Sequence, residues 1–392
     1  MLMTKVLYVP DRSAFYRLAF LHELVIREPT LTVTVAADSE PGPDGVRVFG
    51  PSEFESRSLN WMSLRNIYVK GRCVFQRGLF RAVMRSSYDV IVLWGEAHRV
   101  SSWVALFGAK ARGKSVVIWG HGIYGREPWW LKKVRTLFYN QASLNFTYGM
   151  HGKQEMYRAG VTKPVTLIYN SMLSEAERKL LLDSSPEKCV SRSVGVPSDH
   201  LRLIYVGRLI ASKRLDLLAR INPMTICGGN LSITIVGGGP ERSRLESLFD
   251  ERWGERVEFL GPLDDFYEVA RVISEHDIFV SPGNIGLAAI HSLMAGTPVI
   301  THGEASVQGP EYEVVSEGLN GALFKRGSVE DLQAKISNCA RNLNEGRLTS
   351  QDCKNSTIKY STEHQVEIFL KSLRDLEESK TRRAFASDYH RD

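Results

Sequence analysis

The sequence predicts an α/β protein of two doubly wound, Rossmann-like parallel-sheet domains. Three observations predict it. Short apolar runs bounded by turn residues recur through both halves of the chain, as buried parallel strands do. Stretches of helical spacing separate them, and such strand–helix alternation builds parallel sheets. At 392 residues, 43% hydrophobic and 24% charged, the chain is long and apolar enough for two cores.

In chain order, residues 5–9 are the first strand, stopped by Pro10. The loop Asp11-Arg12-Ser13-Ala14 leads to a helix over 15–27, and 33–37 is a second strand. Residues 41–58 are turn-rich. Residues 60–86 interleave aromatic and basic side chains, among them Trp61, Arg65, Tyr68, Arg72 and Phe75. Residues 88–94 read as a strand, 101–112 as a helix and 115–119 as a strand. The helix over 128–142 sets Trp129, Trp130, Leu131, Val134 and Phe138 against Lys132, Lys133 and Arg135. Strands at 144–148 and 165–168 close the first sheet. The first domain is therefore 1–173, followed by a polar linker with a short helix over 174–200.

The second domain, 201–360, opens with a strand at 203–206. A strand at 233–236 runs into Gly237-Gly238-Gly239-Pro240 and a charged helix over 241–248. A strand at 257–260, a helix at 266–275 and a strand at 278–280 follow. Pro282 and Gly283 break the chain, a helix runs over 287–295, and Gly296-Thr297-Pro298 stops it before a strand at 299–300. Residues 321–324 and the helix 329–344 finish the domain. A last helix within 361–379 returns to the first domain, and 380–392 reads as a flexible tail. Two such domains are expected to face each other across a cleft, since open parallel sheets bind ligands beyond the carboxyl ends of their strands.

Charge is unevenly placed. Residues 1–170 hold 23 Lys and Arg against 12 Asp and Glu, and the remainder holds 27 against 32. A basic half beside an acidic one predicts an anionic partner for the first half, or plain solubility charge. No apolar run reaches the length of about 18 residues that spans a bilayer. The N-terminus goes straight into a strand, which predicts no signal peptide and a cytoplasmic protein. Five scattered cysteines without a CxxC argue for reduced thiols over disulfides or zinc. Nothing resembles a nucleic-acid recognition module.

Three places carry candidate chemistry. Gly207-Arg208-Leu209-Ile210-Ala211-Ser212-Lys213 follows the first strand of the second domain. Two cations so close suit a diphosphate, or belong to a loop salt-bridged to Asp216. Gly237-Gly238-Gly239-Pro240 lacks the GxGxxG and GK[ST] patterns, so close backbone packing is its expected role. The strand–loop–helix at 277–301 presents backbone N–H groups at Gly286, Leu287 and Ala288 where a helix begins.

In this order, GRL(x)3K, VGxGP, FLG and GTPVI resemble the retaining GT-B glycosyltransferases of the GT4 family. That group includes lipopolysaccharide, capsule and phosphatidylinositol mannosyl transferases. The likeness is strong over 201–345 and weaker over 1–170. It implies a UDP- or GDP-sugar donor on the second domain, with Arg208 and Lys213 on the diphosphate, and a saccharide or lipid-linked acceptor on the first. It implies base contacts near Leu263. The family's two glutamates, eight residues apart, align with Gly283 and His291. Asn284 is then left to offer an amide to the sugar and His291 a ring nitrogen to the ribose, unless His291 is simply packed. His121, in Trp119-Gly120-His121-Gly122, resembles the family histidine at the sugar or acceptor, the alternative being a surface loop. The Arg12–Arg17 loop and Glu96 are further acceptor candidates.

No D-x-D or HExxH occurs, so neither a metal nor a separate cofactor is expected. The implied role is surface polysaccharide biosynthesis, with Trp129, Trp130, Lys132 and Lys133 touching an anionic inner membrane face or buried between domains. A sugar-nucleotide epimerase and a decayed binding subunit are the rival readings.

Overall fold

The computed structural model describes residues 4–10, 12–40, 48–53, 58–85, 87–171, 173, 175–184 and 200–388. Most of the expected turn region, the linker from 185 to 199 and the tail from 389 lie outside these. The chain forms two compact units, Met1–Ser174 with Ser361–Asp392, and Glu175–Tyr360.

The first unit is a seven-stranded sheet in the order β3-β2-β1-β6-β7-β8-β9, all parallel. Its strands are β1 (Lys5–Val9), β2 (Thr32–Ala37), β3 (Leu59–Ser63), β6 (Val90–Trp94), β7 (Ser115–Gly120), β8 (Leu144–Thr147) and β9 (Val165–Leu167). Alternate residues of β1 serve opposite cores, Val6 and Tyr8 one side, Leu7 and Val9 the other. Helix α1 (Leu18–Arg27) and the C-terminal helix (Thr362–Asp388) cover one face. Helices α2 (Leu79–Arg85), α3 (Val100–Ala111), α4 (Trp129–Asn140) and α5 (Met150–Arg158) cover the other. Phe369 of the C-terminal helix is 1% exposed and meets Phe20 edge-on at 5.5 Å and Trp119 at 6.0 Å.

Three differences from the sequence reading matter. Residues 65–77 form an antiparallel hairpin, β4 (Arg65–Val69) and β5 (Arg72–Arg77). Lys70 and Gly71 turn it with φ of 49° and 74°, the left-handed pair that a tight two-residue hairpin demands. Helix α4 buries Phe138 as expected, but it also buries Arg135 and exposes Trp129, Trp130 and Val134, which the sequence reading placed the other way. Leu131, Arg135, Phe138 and Ala142 stand one turn apart, so the stripe facing the sheet includes the arginine. The C-terminal helix continues through residues 380–388, where a flexible tail was expected. Lys380 Nζ donates to the Gly113 carbonyl at 3.2 Å.

The second unit has a six-stranded parallel sheet, β12-β11-β10-β13-β14-β15. Its strands are β10 (Leu201–Val206), β11 (Leu231–Val236), β12 (Val257–Gly261), β13 (Ile278–Ser281), β14 (Val299–His302) and β15 (Gly321–Phe324). The helices are α6 (Glu175–Ser184), α7 (Asp216–Ala219), α8 (Arg242–Trp253), α9 (Phe266–Ser274), α10 (Ala288–Met294), α11 (Val329–Asn344) and α12 (Ser350–Asn355). Asp265 caps α9 by accepting from the Glu268 N–H at 2.7 Å, and Ser328 caps α11 through the Asp331 N–H. In both sheets the order reverses beside the strand that opens the unit, β1 against β6 and β10 against β13. Each reversal leaves a crevice at the carboxyl ends of those strands.

Candidate active site

In the first unit the crevice is a cavity of about 660 Å³. It is lined from the strand ends by Arg12 after β1, by Trp94, Glu96, His98 and Arg99 after β6, and by His121, Tyr124, Arg126 and Glu127 after β7. The start of α4 adds Pro128, Leu131 and Arg135, and the hairpin adds Tyr68, Arg72 and Cys73. Of the expected acceptor residues, Arg12, Glu96 and His121 therefore come together. Arg17 is not among the residues lining the cavity, though its charge acts on His121. It is 3% exposed, donates to the Tyr148 hydroxyl at 2.6 Å and lies 4.9 Å from the Trp119 ring, so it packs the core.

Arg135 organises the wall. Its Nη2 donates to Glu96 and its Nη1 to Glu127, each at 3.0 Å, and Nη1 also meets the Gly122 carbonyl at 3.0 Å. Glu127 accepts the N–H groups of Tyr124 and Gly125 besides. Burial works against Glu127, but those N–H groups and Arg135 hold its carboxyl below the usual range. Burial likewise opposes the charge on Glu96, and His98 and Arg135 overcome it.

His121 is not on a surface loop. It is half-buried among Trp94, Tyr124 and Tyr148, with ring centroids 6.1, 6.0 and 5.0 Å away. Burial pushes its pKa down to about 4, despite Glu96, so the ring is neutral at pH 7. Its Nδ1 is buried and has no protein partner. The loop is fixed beneath it, since Gly152 of α5 packs at the His121 carbonyl and His151 Nε2 lies 2.9 Å from the Tyr124 carbonyl.

In the second unit, backbone packs directly on backbone. A Cβ on Gly237 would strike the Gly207 carbonyl, and one on Gly239 the Leu209 carbonyl. The Leu209 N–H donates to Gly238 at 2.8 Å and the Glu241 N–H to Leu209 at 3.0 Å. The glycine run is thus a clamp on the Arg208 loop. Asp216 pairs with Arg214 at 2.9 Å, leaving Arg208 exposed beyond β10 and Lys213 half-buried. Lys213 Nζ donates to the Asn284 carbonyl at 2.6 Å. Burial first, then Arg208, pulls its pKa from 10.5 to about 8, against the pull of Glu311.

The loop between β13 and α10 is held on both sides. Gly283 packs against Ser212 and Lys213 so closely that a Cβ would overlap their backbone. The Ile285 N–H donates to Gln308 Oε1 at 2.8 Å, and Gln308 Nε2 reaches the His302 carbonyl at 2.8 Å. Gly286, Leu287 and Ala288 follow at the start of α10. Asn284 Oδ1 is buried and has no protein partner. His291 is 5% exposed and lies flat on Phe266, centroids 3.8 Å apart at 6°. Burial drives its pKa to about 3 against a hydrogen bond to the Phe266 backbone, and its Nε2 has no partner. Leu263 lies half-buried in the loop before Phe266. Among the described residues no group of three or more His, Cys, Asp or Glu is placed to hold a metal ion.

Sequence reasoning missed Tyr68, Arg72 and Arg99. The Lys70-Gly71 pair, between two short runs rich in β-formers, was the one turn signal for the hairpin that carries two of them.

Residues 200–342 match the sequence model of the family described as Glycosyl transferases group 1. The sulfoquinovosyl transferase of Arabidopsis thaliana is 28% identical over 181 residues, 45% of this chain and 33% of that protein. A D-inositol 3-phosphate glycosyltransferase of Catenulispora acidiphila is 30% identical over 156 residues, 35% of this chain and 34% of that protein. The alignment thus spans about a third of either relative. In structure, Anabaena HepE in complex with UDP superimposes with a TM-score of 0.67 at 16% identity, over 95% of this chain and 100% of that one. Sucrose-phosphate synthase from Thermosynechococcus elongatus gives 0.68 at 17%, over 96% and 100%. These comparisons support the glycosyl transferases group 1 family, and the fold is the two-unit α/β architecture of GT-B glycosyltransferases.

Two outcomes are expected. Gly283→Glu lowers stability on the order of 2 kcal/mol in urea unfolding, because it overpacks a backbone contact. In a ¹³C titration of lysine Cε, the Lys213 signal, assigned by its loss in Lys213→Met, has its midpoint near 8. Arg208→Ala raises that midpoint only part of the way to 10.5, burial being the larger cause. Between pH 8 and 10.5 the folded chain holds fewer protons here than the unfolded one, so the cost of burying this charge fades as pH rises.

Proposed function

We propose that this protein is a glycosyltransferase that moves a sugar from a nucleoside-diphosphate sugar to a saccharide or lipid-linked saccharide, with retention at the anomeric carbon and without a metal. The second unit holds the donor and the first unit the acceptor. The observation that carries this reading is Lys213, a half-buried ammonium fixed on the Asn284 carbonyl and next to Arg208, inside the segment that matches the family. Relatives in that segment are named glycosyltransferases, and HepE is described with UDP and with UDP-glucose.

Breaking the sugar–phosphate bond puts negative charge on the departing diphosphate. Arg208 and Lys213 stabilise that charge, and the arriving anion returns the Lys213 pKa toward its ordinary value. Groups already fixed in place do this without reorganising. Leu263 meets the base, and His291 Nε2 accepts from the ribose. Asn284 takes the sugar hydroxyls that the family's first glutamate holds, with the N–H groups of Gly286, Leu287 and Ala288 beside it. In retention the acceptor hydroxyl enters on the leaving-group face and gives its proton to the departing phosphate oxygen. His121, neutral, orients that hydroxyl.

Surface polysaccharide biosynthesis at the inner membrane face is the setting. Trp129 and Trp130 are 71% and 55% exposed, and Lys133 Nζ sits 5.0 Å over the Trp129 ring. Among the described residues no helix is long and apolar enough to cross a membrane. A second reading, a binding subunit that has lost turnover, is favoured by Gly283, whose site admits no side chain.

Arg208→Ala and Lys213→Ala are each expected to cut turnover about 10²–10³-fold, or about 3–4 kcal/mol, with unfolding midpoints little changed. EDTA leaves the wild-type rate as it is. Wild-type rates in both variants refute the assignment, and calorimetry showing binding of neither UDP nor GDP leaves the subunit reading. In flotation, wild type is expected to enrich on anionic over neutral vesicles, and Trp129→Ser/Trp130→Ser to lose that preference.

A further inference from the structure

The cavity of the first unit has more positive charge than a neutral sugar needs. Five guanidinium groups line it, from Arg12, Arg72, Arg99, Arg126 and Arg135, against two carboxylates, Glu96 and Glu127. Both acids are committed to Arg135, and Glu127 to two backbone N–H groups as well. Neutralisation is thus complete around Arg135 and does not extend to Arg72 and Arg126. Arg72 and Arg126 are exposed at the rim, on the hairpin and after β7, and neither forms an ion pair among the described residues. Arg99 is 2% exposed, and burial lowers its pKa only to about 10, so it stays charged at neutral pH. A guanidinium meets an oxyanion with two parallel hydrogen bonds.

We propose that this cavity binds an anionic saccharide, one carrying a phosphate or a carboxylate, with Arg72 and Arg126 on the charged group and Trp94 and Tyr124 against the sugar. The proposal deepens the transfer reading, on which it rests for the word acceptor. Its volume, about 660 Å³, lies within the range of small-ligand sites and holds more than a single sugar ring. Arg72 reaches the cavity only because the hairpin folds, so the sequence between β3 and α2 supplies the anion's contact.

The test is calorimetry on the full chain with glucose, glucuronate, glucose 1-phosphate and citronellyl phosphate, a short stand-in for a polyprenyl carrier. At least one anionic probe is expected to bind at least tenfold more tightly than glucose, with affinity that falls as salt rises. Arg72→Gln/Arg126→Gln is expected to weaken that probe at least tenfold, with an unchanged unfolding midpoint. Preference for citronellyl phosphate assigns the charge to a lipid carrier, and preference for a sugar acid or phosphate assigns it to the saccharide. Equal binding of glucose, no binding of any anionic probe, or an unaffected double variant overturns the proposal. UDP is titrated into both proteins separately. Loss of UDP binding with anion binding intact sinks the donor reading alone, and the reverse sinks this one alone.

Discussion

A cation costs more the further it is taken from water, and both units of this chain are shaped by how that cost is met. Arg135 meets it by pairing. Two carboxylates and a carbonyl surround its guanidinium, and the triad ties β6, the loop after β7 and α4 into one wall. Lys213 has no carboxylate within ion-pair distance among the described residues. One carbonyl holds it, and its charge is already half surrendered near pH 8. The first arrangement is a finished structure. The second leaves a half-buried ammonium on a single carbonyl.

What keeps Lys213 in this unsatisfied state is packing without side chains. Gly207 against Gly237, Leu209 against Gly239, and Ser212–Lys213 against Gly283 bring three loops to backbone contact. Any larger residue at these glycines pushes the cation off the Asn284 carbonyl. The absence of an acid at Gly283 is therefore not a simple deletion. The loop that carries Lys213 fills the space a side chain at Gly283 would occupy, and the Asn284 carbonyl next door is the lysine's partner.

The parallel strands were legible because burial on both faces leaves uninterrupted apolar runs, as in Val6–Val9 and Ile278–Val280. The Arg208–Lys213 loop, the glycine clamp and the loop before α10 were legible from Gly and Pro at strand ends. The hairpin was not, because its strands are half-exposed and carry arginines where apolar residues would mark them. The buried side of α4 was misread because Arg135 belongs in the core only by virtue of Glu127, two turns before it, and Glu96, which is distant in sequence. Arg17 looked like a site residue until Trp119 and Tyr148 enclosed it. Side-chain partners, near for the hairpin and for Glu127 and remote for Glu96, Trp119 and Tyr148, decided each of these.

The C-terminal helix has a consequence for how the chain matures. Val366, Phe369, Leu370 and Leu373 sit in the same core as Phe20, Val33 and Phe146. The second unit is therefore inserted within the first in sequence, and it alone is continuous. On a ribosome it completes its own interior while the earlier segment still waits for an aromatic plug made more than two hundred residues later. The exposed apolar face of that waiting sheet is a natural client for a chaperone, and nascent chains halted before residue 361 would display it.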